Sequence, residues 1–299
     1  MIHVVTLIAN PAHPMADALG RLAAGALPAV GSMAWLDPGI ALDIGFTPAS
    51  ENDNRLVEER VRATLGGAPI DVVVQKAAGR RKRLLLADMD STMIGQECVD
   101  ELADFVGQKV RVAAITERAM RGEIAFAPAL RERVGLLAGL PAAVIDEVIA
   151  KRITLTPGAR TLVSTMRRHG AYTCLVSGGF TAFTGPIAAL IGFDENRGNR
   201  LIIGEDGRLS GAVAEPVLGR DAKLDSLGEL RGLLGLTHDE TLVVGDGAND
   251  LLMIDAAGLG VAYRAKPSVA RAAAARIEHG DLTALLYAQG YRREEFVEE

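Results

Sequence analysis

The sequence predicts an α/β protein: a parallel sheet flanked by helices, a helical insertion after its first strand, and a small α+β segment ahead of it. Three observations carry this. Short, mostly apolar runs recur at Leu84–Ala87, Ala171–Val176, Leu242–Val244 and Leu259–Tyr263, the first of them unbroken, the pattern of strands buried on both faces. Three of these runs stop abruptly at polar clusters: Asp88 and Asp90, Ser177-Gly178-Gly179, and Gly245-Asp246-Gly247-Ala248-Asn249-Asp250. Ligands of open α/β sheets lie beyond the carboxyl ends of the strands. Finally, residues from about 94 to 153 read as helical throughout, between the first run and the second.

At 299 residues, 49% hydrophobic and 23% charged, the chain has the composition of a globular protein and the length for two domains. A net charge of -6 argues against nucleic-acid binding. Cys98 and Cys174 form neither a disulfide framework nor a CxxC zinc pattern, which suits a reducing, cytoplasmic setting. The first residues lack a basic stretch, and Asn10, Pro11, His13 and Pro14 interrupt the early apolar run, so no secretory signal is expected. No stretch reaches the roughly 20 apolar residues of a membrane span.

In chain order, Ile2–Ile8 is β-branched and reads as a strand. Ala16–Ala24 reads as a helix stopped by Gly25. Ser32–Leu36 and Ala41–Phe46 are strands about an Asp37-Pro38-Gly39 turn. Asn52–Leu65 has helical spacing, and Ile70–Val74 is a strand. This β-α-β-β-α-β order is ferredoxin-like and sets a domain of residues 1–78 apart from residues 79–299. Small domains of this order resemble amino-acid-binding ACT domains, which implies serine or another amino acid as a ligand. A packing or dimerisation role, with a homodimer as the assembly, is favoured, because the match is one of topology alone. The basic run Gly79–Arg83 reads as a solvated linker.

In the insertion, Glu97–Val106, Val110–Gly122, Phe126–Leu137 and Pro141–Ile149 are candidate helices, with Pro141 in a first turn. Such a block can cap the strand ends and exclude water. Among its charges, Glu97 can bind an ammonium, and Arg133 can grip a carboxylate through two parallel hydrogen bonds; both also read as ordinary surface charges. Beyond the cap, Thr156-Pro157-Gly158 opens a helix through Met166. Ser177-Gly178-Gly179 can wrap an anion or simply turn the chain. Leu201–Ile203 and Leu209–Val213 flank Glu205-Asp206-Gly207 as a hairpin. Lys223 begins a helix to Leu234, Arg276–Glu278 is a last short strand, and the charged tail from Arg292 reads as frayed.

Taken together, Asp88-Met89-Asp90-Ser91-Thr92, Ser177, Lys223 and Gly245–Asp250 resemble the motifs of the haloacid dehalogenase superfamily. With Glu97, Arg133 and Ser177-Gly178-Gly179-Phe180 added, the chain is similar to the phosphoserine phosphatase branch of that superfamily, over roughly residues 83–287. The resemblance implies a Rossmann-like core and a Mg²⁺-dependent hydrolysis of O-phosphoserine to serine and phosphate, the last step of serine biosynthesis. It implies Asp88 as nucleophile, forming an aspartyl-phosphate, and Asp90 as general acid and then base. It also implies metal ligation by the Asp88 carboxylate, the Asp90 carbonyl and Asp246, with Asp250 orienting metal-bound water. Ser177, the Gly178 N–H and Lys223 would hold the phosphoryl oxygens, and Asn249 would position Lys223 or substrate. Glu97 and Arg133 would bind the amino-acid end, with Phe126 and Met120 as apolar walls or as cap core. Ca²⁺ is the alternative metal. The alternative functions are another small-molecule phosphatase or phosphotransferase of the superfamily, and an amino-acid sensor with a vestigial catalytic half.

Overall fold

The computed structural model describes residues 2–50, 54–120 and 123–298, the Met120 side chain excepted. The chain divides into two compact units. One comprises Met1–Leu86, Pro157–Thr173 and Leu227–Glu299; the other comprises Ala87–Thr156 and Cys174–Ser226.

The first elements follow the expected order: β1 (His3–Ala9), α1 (Asp17–Gly25), β2 (Val30–Asp37), β3 (Ala41–Phe46), α2 (Asn54–Thr64) and β4 (Ile70–Lys76). Asn52, in the expected start of α2, lies outside the described residues. The strands form an antiparallel sheet in the order β2-β3-β1-β4, the ferredoxin-like arrangement. Val57 and Val61 of α2 and Ala23 of α1 share a core with Val5, Leu7, Ile44 and Val72. That burial accounts for one face of the sheet, since strand side chains alternate.

The core follows as β5 (Leu84–Ala87), α3 (Cys98–Phe105), α4 (Lys109–Met120), α5 (Phe126–Gly135), α6 (Val144–Lys151), α7 (Ala159–Arg168), β6 (Tyr172–Phe180), α8 (Thr181–Ile191), β7 (Glu195–Asn199), β8 (Leu201–Ile203), β9 (Leu209–Val213), α9 (Arg220–Leu233), β10 (Thr241–Gly245), α10 (Leu251–Asp255), β11 (Leu259–Tyr263), α11 (Pro267–Ala272), β12 (Ala275–Ile277) and α12 (Ala284–Ala288). Six strands make a parallel sheet in the order β12-β11-β10-β5-β6-β7. The fully buried Leu84, Leu85 and Leu86 suit the centre of such a sheet.

The structure departs from the sequence reading in four places. The strand β6 continues through Ser177-Gly178-Gly179 to Phe180 instead of ending before them. Pro141 lies ahead of α6 in an antiparallel bridge to Arg208, so it tethers the cap to the β8–β9 hairpin. The basic run is not solvated. Lys82 is buried and its Nζ donates to the Asp239 carbonyl at 2.7 Å, Arg80 pairs with Asp43, and Arg81 forks onto Glu295 at 2.7 and 2.8 Å. The tail is docked: the Val297 N–H donates to Thr165 Oγ1 at 2.9 Å, and the Phe296 ring tilts onto Tyr287.

The second face of the N-terminal sheet is also covered, for β1 is buried along its whole length, and β12 and α12 pack against β4 and β1. Polar groups join these elements. Asp71 is buried, and its carboxylate accepts the N–H groups of Glu278 (2.7 Å), His279 (3.2 Å) and Gly280 (2.7 Å). Gln75 Nε2 donates to the Ala288 carbonyl at 2.6 Å, Asn10 Nδ2 to the His279 carbonyl at 2.8 Å, and the Tyr287 hydroxyl to Asp37 at 2.6 Å.

Candidate active site

The chain turns at Met89–Met93 as soon as it leaves β5, and this turn sets both acids. Asp88 is buried, and one of its oxygens accepts the Met89 N–H at 2.8 Å. The same oxygen lies 2.6 Å from Lys223 Nζ, with side-chain exposures of 6% and 1%. An ion pair so far from water persists only with close geometry, because each charge loses its hydration. Lys223 sits one turn into α9, its N–H bonded to the Gly219 carbonyl at 3.1 Å.

Asp90 is held from two sides. Its Oδ1 accepts the Cys98 N–H at 2.9 Å, and its Oδ2 accepts the Ser177 hydroxyl at 3.3 Å. The Ser177 oxygen in turn accepts the Gly179 N–H at 2.8 Å. A Cβ at Gly179 would lie 3.0 Å from both Asp90 Oδ2 and Ser177 Oγ, so only glycine lets the strand pass this close. Loss of hydration pushes the Asp90 carboxyl above the usual carboxylate range, while the Cys98 N–H, the Lys223 charge and the Ser177 hydroxyl oppose the shift.

Around this pair stand the two cap charges. Ser91 adopts a left-handed conformation (φ 56°) and donates its hydroxyl to Glu97 at 2.7 Å. Arg133, on α5, is largely enclosed: its Nη1 reaches Thr116 at 3.4 Å, and its Nε is buried with no hydrogen-bond partner among the described residues. Burial draws the guanidinium down from its ordinary value, against the attraction of Glu97, Asp100 and Asp90. Phe126 faces two glycines; a Cβ at Gly178 would meet its ring at 3.0 Å, and one at Gly219 at 3.2 Å. Met120's side chain lies outside the described residues.

The remaining expected residues belong to the other compact unit, after β10. Asp250 is buried, and its Oδ2 accepts the Gly247 N–H at 3.0 Å. Asn249 Nδ2 donates to its other oxygen at 3.4 Å. A Cβ at Gly245 would sit 2.5 Å from the Asp250 carboxyl, so this loop closes only over glycine. Asp246 is half-buried. In the sheet order β10 is the neighbour of β5.

The model of haloacid dehalogenase-like hydrolases matches residues 85–255. The chain belongs to this family. Its relatives within the haloacid dehalogenase-like hydrolases include the phosphoserine phosphatase SerB2 of Mycobacterium tuberculosis, 44% identical over 259 residues, or 86% of this chain and 62% of that one. A family hydrolase from Salmonella enterica serovar Typhi superposes with a TM-score of 0.85 at 27% identity, over 96% of this chain and 98% of that one. A phosphoserine phosphatase solved as a phospho-aspartyl intermediate analogue superposes with a TM-score of 0.64 at 38% identity, over 71% of this chain and all of that one. The chain spans 55–64% of the length of the first three curated relatives it matches.

Within this haloacid dehalogenase-like site, the structure gathers Asp88, Asp90, Ser177, Gly178 and Lys223, from three separate segments, with Glu97 and Arg133 beside them. Residues the sequence reading passed over also hold the site. Ser91 fixes Glu97, the Cys98 N–H fixes Asp90, and Thr116 touches Arg133. Ser91 lay in the quoted motif without a role; the other two carry no local signal, because their contacts arise from the fold.

Proposed function

We propose that the chain is a phosphoserine phosphatase, hydrolysing O-phosphoserine to serine and phosphate through an aspartyl-phosphate on Asp88. The observation that carries the reading is the juxtaposition of a buried carboxylate–ammonium pair, Asp88 with Lys223, and a second carboxyl, Asp90, held by the Cys98 N–H and the Ser177 hydroxyl. The cap adds an ammonium acceptor in Glu97 and a carboxylate donor in Arg133, whose buried Nε has no protein partner among the described residues.

In the first step Asp88 attacks phosphorus while the bond from phosphorus to the serine oxygen breaks, and Asp90 gives its proton to that oxygen. Ser177, the Gly178 N–H and Lys223 oppose the charge on the phosphoryl oxygens. In the second step Asp90 takes a proton from water, the water oxygen attacks phosphorus, and Asp88 is released with inorganic phosphate. By the family resemblance, the Asp88 and Asp246 carboxylates and the Asp90 carbonyl would hold the metal, an all-oxygen donor set that suits Mg²⁺. Bound there, the metal would neutralise the phosphate dianion so that an anion can approach it. Asp250, holding the Gly247 N–H, would orient water on the metal, and Asn249 would position Lys223 or substrate.

Residues 1–78 are proposed as an ACT-like segment joined to a phosphatase domain of residues 79–299 with its cap at about 94–153. The bonds of Asp71, Gln75 and Tyr287 support a packing role for that segment, with a homodimer as the proposed assembly over binding of serine. No helix among the described residues is long and apolar enough to cross a membrane, and a cytoplasmic setting in serine biosynthesis goes with the proposed reaction.

The test is release of phosphate from O-phosphoserine with Mg²⁺, and its loss with a chelator. No release in Mg²⁺ would sink the proposal. Release from other small phosphate esters but not from phosphoserine would move the chain to another phosphatase of the family.

A further inference from the structure

The side chain of Asn199 ties together two pieces of backbone on either side of the proposed phosphate site. It closes β7 and is 3% exposed. Its Nδ2 donates to the Gly178 carbonyl at 2.8 Å and to the Leu218 carbonyl at 3.0 Å, and its Oδ1 accepts the Leu218 N–H at 2.7 Å.

Each bond bears on a group that faces phosphate in the proposed reaction. The Gly178 carbonyl shares a peptide plane with the Gly179 N–H, which is bonded to Ser177 Oγ. That plane is thus gripped at both ends, and its setting fixes the Gly179 N–H and, through it, the Ser177 hydroxyl. On the other side, Leu218 is held by both its N–H and its carbonyl. The next residue, Gly219, supplies the carbonyl that accepts the Lys223 N–H at 3.1 Å and so fixes the first turn of α9. The Lys223 ammonium is carried on that turn.

We propose that Asn199 is a positioning residue of the phosphoryl site, its amide setting the spacing between the Ser177 hydroxyl and the Lys223 ammonium. The inference rests on the phosphatase reading above. Only an amide supplies two donors and an acceptor in one plane at this length. Aspartate has the same size but turns both donated bonds into contacts between oxygens. Alanine removes the side-chain partner of two part-buried carbonyls and an N–H. Phosphoryl transfer depends on positioning, and a misplacement of 1 Å can cost about 100-fold.

The experiment compares Asn199→Ala and Asn199→Asp with the parent chain, using para-nitrophenyl phosphate as substrate, orthovanadate as a mimic of the five-coordinate phosphoryl group, and L-serine as an inhibitor held by the cap charges. The expected result is a fall in kcat of about 10- to 100-fold, a matching loss of orthovanadate affinity, and unchanged inhibition by L-serine. Unchanged kcat and orthovanadate affinity in a folded variant would overturn the proposal. So would equal losses toward orthovanadate and L-serine, the mark of a general structural role. Should both variants fail to fold, amide hydrogen exchange of the parent decides: Leu218 N–H protected as in a strand supports the clamp, and exchange at the rate of a free loop overturns it. The aryl substrate keeps the two readings apart, because a parent chain inactive on phosphoserine overturns the substrate assignment and leaves the Asn199 comparison standing.

Discussion

Two regions of this molecule bury charge, and they do so with different partners. Beneath the N-terminal sheet, Asp71 is surrounded by the N–H groups of Glu278, His279 and Gly280, and Asp43 receives Thr6 as well as Arg80. Those carboxylates are answered by protein alone. At the ends of β5 and β6 side chains do the holding: Asp88 pairs with the Lys223 ammonium, and Asp90 accepts the Ser177 hydroxyl as well as the Cys98 N–H. Backbone N–H groups fix a carboxylate in place, whereas buried carboxylates beside an ammonium and a hydroxyl form a constellation able to meet a ligand.

The comparison is broken or sharpened first by Asp88→Asn. The substitution keeps size and removes the anionic nucleophile, so turnover falls by at least about 1,000-fold, and no phosphoenzyme forms in an acid quench. The urea midpoint should fall while the chain stays folded, because the Lys223 ammonium is left buried without its anion. Near-parent turnover would remove Asp88 from its assigned role. Next comes Arg133→Ala. It deletes a charged, forked donor, and kcat/KM toward phosphoserine should drop about 100-fold. Turnover of an aryl phosphate, which has no carboxylate to grip, should change far less. Equal losses on the two substrates would take Arg133 out of the specificity role.

What the sequence made legible follows from how local each signal is. The strands β3 and β11 stand at their expected ends because their boundaries are written in adjacent residues. The helix α8 and strand β7 were unreadable: Gly185 and Pro186 interrupt one, and Glu195-Asn196-Arg197-Gly198-Asn199 lacks the apolar residues that mark the other. Asp88, Asp90 and Ser177 announced themselves by sitting at strand ends, while Lys223 read as a solvated charge until the family resemblance singled it out. Cys98, Thr116 and Asn199 did not, because their roles depend on contacts with segments distant in sequence. The basic run misled for the same reason: its partners Asp43, Asp239 and Glu295 lie far away along the chain.

The third test falls on the satisfied region. Asp71→Ala strands the buried N–H groups of residues 278–280, and unfolding free energy should fall by about 2–4 kcal/mol, read from urea denaturation. The kcat/KM per folded molecule should hold. Burial raises the Asp71 carboxyl above its ordinary 3.8, so the folded chain keeps this proton to higher pH than the unfolded chain. Stability contributed by Asp71 therefore declines as pH rises from that value through the higher folded one. The difference between parent and variant should shrink over that window. A difference that grew with pH would mean that the N–H groups outweigh burial.

The smallest effect belongs to Arg81, which resembles Asp71 on paper and differs in exposure. Its guanidinium forks onto Glu295, yet the two side chains are 46% and 26% exposed. Water competes for both charges, so the pair itself is worth less than about 1 kcal/mol. Arg81 also lies over the Tyr291 ring, 4.2 Å from its centre, a stacking contact worth about 0.5–1 kcal/mol at an exposed site. A double-mutant cycle of Arg81→Ala with Glu295→Ala separates the two. A coupling of a few tenths of a kcal/mol, shrinking in salt, is expected from the ion pair, while the rest of the Arg81→Ala loss should persist in salt as lost packing on Tyr291. A coupling of several kcal/mol would mean that exposure does not divide the two kinds of charge in this chain.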